Sequence, residues 1–174
     1  MLVYGGSQGS LAINTAVRAW LSAGLPANTS IIWGTGKKTY EQFADLESER
    51  VRVKPYLSPI ADAYAATDLA VARAGTMTLA ELFAWQIPAV LIPLPTAAAD
   101  HQTLNARTLE QAGTAVHLPQ SGLTGQTLGA TVTSLLQDEP RLRALAAAAA
   151  GRARPNAAAE IARRVLAIAE KARR

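Results

Sequence analysis

The stretch Val71-Ala72-Arg73-Ala74-Gly75-Thr76-Met77-Thr78-Leu79-Ala80-Glu81 decides how this chain is read. The apolar run 69–72 is short and uninterrupted, the pattern of a buried strand. Ala74-Gly75 predicts a tight turn and residues 76–85 a helix, with Thr76 or Thr78 able to cap it. A strand that enters a helix through glycine aims free backbone N–H groups and the positive end of the helix dipole at one spot, and anions bind there. Glu81 stands one turn into that helix, where its carboxylate can accept two hydrogen bonds from a vicinal diol such as a ribose. Phosphate and ribose together specify a nucleotide. Taken alone, Gly75 also fits the plain strand–helix turn of any α/β domain, and Glu81 a solvated helix face.

Working outward, the same alternation recurs. Toward the N-terminus, a strand at 2–4 runs into the turn Gly5-Gly6-Ser7-Gln8-Gly9-Ser10. A helix follows, with Ile13, Val17, Trp20 and Leu21 at helical spacing, ending at Gly24-Leu25-Pro26. A second strand at 30–33 closes on Gly34-Thr35-Gly36. A weakly amphipathic helix at 39–46 and a third strand at 51–53 lead to the rigid loop Pro55-Tyr56-Leu57-Ser58-Pro59, and a short helix at 60–66 completes this half.

Toward the C-terminus come a fifth strand at 89–92, a long loop from Pro93 to Asp100, a helix at 101–112 stopped by Gly113, and a sixth strand at 115–118. Leu128, Val132, Leu135 and Leu136 mark a further helix. Pro140 starts an alanine-rich one, and Ile161, Val165 and Ile168 lie on a last. Six apolar runs separated by helices imply a single α/β domain over 1–174 with a doubly wound, six-stranded parallel sheet of Rossmann-like type. Such sheets bind ligands beyond the carboxyl ends of their strands. That rule brings Gly5–Ser10, Gly34–Gly36, Tyr56–Leu57, Ala74–Glu81 and Pro93–Gln102 to one rim.

Composition narrows the function. Among 174 residues 49% are hydrophobic and 17% charged, the balance of a globular chain. The absence of cysteine excludes disulfides, thiol nucleophiles and zinc–thiolate sites. No apolar run approaches the roughly 18 residues of a membrane span. The net charge of +4 gathers in arginines after Arg141, which reads as a solvated helix face rather than a nucleic-acid surface. The chain opens inside a strand, which raises the expectation of a further domain before Met1.

A dinucleotide oxidoreductase is disfavoured, because the first glycine turn lacks the G-x-G-x-x-G spacing and the second strand ends without a carboxylate. No Gly-Lys-Ser/Thr follows the glycines, so a Walker loop is absent too. A sugar-nucleotide transferase needs a diphosphate cradle, a ribose carboxylate and polar groups for sugar hydroxyls. Gly75 to Glu81 offers the first two, and Asp100-His101-Gln102-Thr103-Leu104-Asn105 the third. The chain contains no Asp-x-Asp, so no metal and no cofactor is expected at the donor site, the diphosphate being held by helix N-termini and backbone N–H groups instead.

Three segments carry a family resemblance: Gly5-Gly6-Ser7-Gln8-Gly9 with Asn14, the stretch from Ala72 to Glu81, and Asp100 to Ala106 running on to Leu109-Glu110-Gln111-Ala112-Gly113. Together they closely resemble the MurG family, bacterial enzymes that move N-acetylglucosamine from UDP to the lipid-linked muramyl-pentapeptide precursor of peptidoglycan. The resemblance covers nearly the whole chain but only the C-terminal, donor-binding half of the family's two-domain GT-B fold. It implies that Ser7 and Gln8 meet the donor near its diphosphate, that the backbone of Leu57 reads the uracil edge, and that Thr76, Met77, Thr78, Leu79 and Ala80 face the diphosphate. It further implies that Glu81 holds the ribose and that Gln102 and Asn105 reach the sugar.

His101 stands where some relatives carry glutamine, so no direct role passes to it, and His117 reads as structural. No catalytic residue is expected in this half. The acceptor lipid, the membrane-facing patch and the general base would belong to an N-terminal domain, toward which the last helix, 157–174, would pack. The whole enzyme would be cytoplasmic and peripheral on the inner face of the membrane, with no nucleic-acid partner. Two alternatives stay open at this point: the donor half of a two-chain transferase docked on a membrane partner, and a non-catalytic nucleotide-sugar-binding module.

Overall fold

The computed structural model describes residues 1–172; Arg173 and Arg174, the end of the last predicted helix, lie outside the described residues. Six parallel strands form one sheet in the order β3-β2-β1-β4-β5-β6. They are β1 (Leu2–Tyr4), β2 (Ile31–Gly34), β3 (Val51–Lys54), β4 (Ala70–Ala72), β5 (Ala89–Leu91) and β6 (Ala115–His117). The four inner strands read as continuous apolar runs because helices cover both of their faces. At one edge, β3 alternates instead, with Val51 and Val53 inward and Arg52 and Lys54 exposed, which keeps that edge from pairing with another chain.

The connecting helices are α1 (Leu11–Ala23), α2 (Ile60–Ala65), α3 (Thr76–Ala84), α4 (His101–Gln111), α5 (Gly125–Gln137), α6 (Glu139–Ala150) and α7 (Ala157–Ala172). One core lies between the sheet and α1, α5 and α6, around Val3, Val17, Trp20, Trp33, Val71, Val132 and Leu145. The other, under α2, α3 and α4, holds Leu2, Tyr4, Tyr64, Leu82, Leu91 and Leu109. The chain reverses direction across the sheet between β1 and β4, and the crevice at their carboxyl ends is where this topology leaves room for a ligand.

Two expectations are corrected. Residues 39–46 form two short 3-10 turns, Tyr40–Gln42 and Ala44–Leu46, rather than a helix. Phe43 lies between them with φ −129° and is buried against the Trp33 ring at 5.3 Å, so the demand of the core breaks the helical run. Neither Thr76 nor Thr78 caps α3; the cap position is Gly75, which has no side chain to do so. Gly75 itself is not a left-handed turn residue, since its φ of −73° and ψ of 146° suit any amino acid. The last helix forms as read, but none of its described residues is buried.

Candidate nucleotide-binding site

All five rim loops meet at the crevice. A cavity of about 280 Å³ is lined by the glycine turn (Gly6, Ser7), the end of β2 (Gly34, Gly36), the loop Pro55-Tyr56-Leu57, and Met77, Thr78 and Glu81 of α3. A second hollow adjoins it across Gly6 and Thr78, bounded by Gln8, Ser10, Arg73, Gly75, Leu94, Gln102 and Gln120.

Backbone contacts set this geometry. Gly9 and Gly36 pack their backbones directly together, and a Cβ on Gly9 would fall 2.0 Å from the Thr35 carbonyl oxygen. Both adopt positive φ (75° and 87°), so glycine is required twice over. Asn14, fully buried on α1, fixes the same junction: it accepts from Trp33 Nε1 at 3.0 Å and donates to Thr35 O at 2.8 Å and Thr39 Oγ1 at 3.1 Å. Every polar group of that side chain is used, which locks the two glycine loops in register.

The two helix N-termini beside the hollow differ. At α1, Ser10 caps, its Oγ accepting from Ile13 N–H at 3.4 Å. At α3 no side chain caps among the described residues, so the N–H groups of Thr76, Met77 and Thr78 are left open at the positive end of a nine-residue helix. The glycine turn adds two donors. It closes through Gly9 N–H on Gly6 O (3.0 Å), and the N–H groups of Ser7 and Gln8 find no partner among the described residues. These are the donors an anion needs.

Glu81 lies one turn beyond that terminus. Tyr64 donates to its Oε2 at 2.8 Å, and because that proton is committed, the Tyr4 hydroxyl 3.1 Å away donates in turn to Tyr64. Burial pushes Tyr4 up to about 12, and burial together with Tyr4 and Glu81 pushes Tyr64 higher still, so both remain protonated donors at neutral pH. The carboxylate is thereby held in place with lone pairs left over for a diol. Among the residues lining the two hollows, Glu81 is the one carboxylate.

The other expected site residues sort as follows. Leu57 lines the first cavity, and neither its N–H nor its C=O is engaged among the described residues, as an edge reader requires. Gln102 accepts from Leu94 N–H at 3.1 Å, which turns its amide nitrogen toward Gly75. Asn105 donates to Ala74 O at 3.0 Å and so braces the turn ahead of α3 rather than lining either hollow. Thr76 offers its backbone N–H to the site, but Thr76, Leu79 and Ala80 also line a separate groove between α3 and α4. The N–H of Leu79 is already spent on Gly75 O, and Ala80 lies deeper in the helix, so those two present no free donor. His101 donates through Nδ1 to Ala98 O at 2.8 Å and lines neither hollow. His117 packs beside Glu110, consistent with a structural role.

Tyr4, Tyr64 and Arg73 went unassigned in the sequence reading. Arg73 had a visible signal, a lone cation at the end of an otherwise apolar strand. The two tyrosines, 60 residues apart, had none.

A Rossmann-like sheet with an uncapped helix N-terminus and a braced carboxylate at its switch point is the arrangement in which open α/β sheets place their ligands. Residues 1–163 match the model for the glycosyltransferase family 28 C-terminal domain, and the chain belongs to that family. It is 46% identical, over 99% of its length, to a Salinibacter ruber protein named UDP-N-acetylglucosamine–N-acetylmuramyl-(pentapeptide) pyrophosphoryl-undecaprenol N-acetylglucosamine transferase, of which it covers 47%. An Alkalilimnicola ehrlichii protein of the same name is 42% identical over 94% of the chain and 47% of that protein.

The crystal structure of Acinetobacter baumannii MurG superposes with a TM-score of 0.80 at 32% identity, over 92% of this chain and 47% of that one. The calicheamicin glycosyltransferase CalG4, 19% identical with a TM-score of 0.69, shares the fold. The chain has the fold of the C-terminal half of a GT-B glycosyltransferase, and it spans about half the length of the curated relatives it matches.

Proposed function

We propose that this chain is the donor-binding half of an inverting, metal-independent transferase that moves N-acetylglucosamine from UDP-N-acetylglucosamine to a lipid-linked muramyl-pentapeptide, the step from lipid I to lipid II in peptidoglycan synthesis. The observation that carries it is the uncapped start of α3 with Glu81 one turn beyond, facing a cavity edged by the free backbone of Leu57. Uracil would lie against Leu57, the ribose diol on Glu81, the diphosphate on the N–H groups of Thr76 to Thr78, Ser7 and Gln8, and the sugar toward Gln102. In the transfer, an acceptor hydroxyl bonds to the anomeric carbon as the bond from that carbon to the diphosphate oxygen breaks. The electron pair leaves with UDP, and a base takes the hydroxyl proton. Neither hollow is lined by a histidine, and the one carboxylate, Glu81, is taken up in this reading by Tyr64 and the ribose diol, so the base is assigned to the other half.

Helix α7 suits that division. Ile161, Val165 and Ile168 form an apolar stripe that is 59–69% exposed. Its occupant in this reading is the domain that fills the remaining length of the relatives. That other half would also carry the acceptor lipid and the contact with the inner face of the cytoplasmic membrane. Among the described residues no helix is long and apolar enough to cross a membrane.

Calorimetry of UDP and UDP-N-acetylglucosamine in the presence of a chelator tests the donor site. Binding that survives chelation is expected; binding that disappears would remove the helix-terminus account of the diphosphate.

A further inference from the structure

Arg73 is an unusual residue to find at the floor of this crevice. It is 92% buried at the end of β4, with 8% of its surface exposed, yet no carboxylate pairs with it among the described residues. Its two terminal nitrogens donate to four neutral oxygens: Ile92 O (3.0 Å), Pro93 O (2.8 Å), Ser10 Oγ (2.7 Å) and Gln120 Oε1 (2.7 Å). The Nε–H has no acceptor among the described residues. Hydrogen bonds to neutral groups satisfy the donors but leave the charge uncompensated, and a desolvated unpaired charge is costly. Burial accordingly lowers its pKa from the ordinary arginine value.

A purely mechanical tie between loops would not need a charge. The guanidinium borders the same hollow as Gly75, Thr78, Gln8 and Gln102, where the uncapped α3 terminus and the free N–H groups of the glycine turn already converge.

We propose that Arg73 supplies the fixed, buried positive charge that selects a diphosphate at this site, its missing counter-ion being the ligand itself. The inference rests on reading the crevice as a nucleoside-diphosphate site. It assigns the charge-neutralising role to one side chain that the helix N-termini only supplement. Because the guanidinium is held rigidly by four oxygens, no reorganisation is needed when an anion arrives or when charge grows on a departing diphosphate. At a residue with so little exposed surface such a charge acts with less screening than a surface lysine would.

The test compares UDP with uridine by calorimetry on the wild-type chain, Arg73→Gln and Arg73→Lys, with circular dichroism as the folding control. Removing the charge in Arg73→Gln should weaken UDP by at least about tenfold while uridine changes less than about twofold. Arg73→Lys keeps the charge and loses the fork, so its UDP-to-uridine affinity ratio should stay within about threefold of wild type even if its melting temperature falls.

Equal losses for UDP and uridine in Arg73→Gln would overturn the proposal and make Arg73 a structural tie. If Arg73→Gln does not fold, a collapsed ratio in folded Arg73→Lys overturns it by itself. A wild-type chain that binds neither ligand would refute the nucleotide reading instead, an outcome distinct from both.

Discussion

Gly75→Ala separates the needs of the fold from those of the ligand. The backbone there (φ −73°, ψ 146°) is open to alanine, and an added Cβ would meet one protein atom within 4 Å, the Gln102 amide nitrogen at 3.9 Å. Alanine reduces unfolded-state freedom, a gain of about 0.4–1 kcal/mol. Alanine is also a poorer cap than glycine, a loss on the order of 0.5–1 kcal/mol. The two nearly cancel, so the melting temperature should move by no more than a few degrees. The methyl group projects into the space between the open α3 terminus and Gln102, where the diphosphate and sugar would sit. Overpacking of that kind costs about 1–3 kcal/mol, or roughly 5- to 150-fold in affinity.

Calorimetry with UDP-N-acetylglucosamine, beside thermal melting of the same samples, measures both quantities. Gly113→Ala is the mirror control. That residue ends α4 at φ +64° with open space around its missing Cβ, so the change should lower stability by about 1 kcal/mol and leave affinity alone. If Gly75→Ala binds donor as the wild type does, the ligand does not pass this position and the reasoning fails.

Other outcomes follow from the same geometry. Glu81→Ala should weaken UDP binding by roughly 1.5–3 kcal/mol, the range for hydrogen bonds to a charged group, with little change in the circular dichroism spectrum. Unfolding at unchanged affinity per folded molecule would make Glu81 structural. Tyr4 is raised from its ordinary 10.0 to about 12, so the unfolded chain releases that proton first as the solution becomes alkaline. Its contribution is therefore complete below about pH 10 and lost between there and pH 12, and Tyr4→Phe should flatten the fall in denaturant-measured stability over that window. The isolated chain should show no transfer of radiolabelled sugar to a lipid-linked acceptor at saturating donor, and some when the relatives' N-terminal half is supplied; turnover by the chain alone would place a base within it.

Most of the fold was legible because buried parallel strands announce themselves as uninterrupted apolar runs, and glycines at Gly9 and Gly36 mark backbone contact that no other residue allows. The convergence of five loops on one rim followed from the parallel topology alone. Residues 39–46 misled because local helical spacing said nothing of where Phe43 had to be buried. The details of the site were less visible. Tyr4 and Tyr64 brace Glu81 from positions 60 and 17 residues apart in their bonded pairs, and only tertiary packing brings them together. Leu79 and Ala80 share a motif with Thr76 to Thr78, but the helix ladder has already consumed the donor a motif cannot show as spent.

The most direct measurement is a crystal structure of the chain with UDP-N-acetylglucosamine bound. The expected result places uracil against the Leu57 backbone, both ribose hydroxyls on Glu81, and diphosphate oxygens within hydrogen-bond distance of the N–H groups of Thr76 to Thr78. Nucleotide bound in the groove between α3 and α4, or in the crevice with its phosphates turned away from the start of α3, would contradict it.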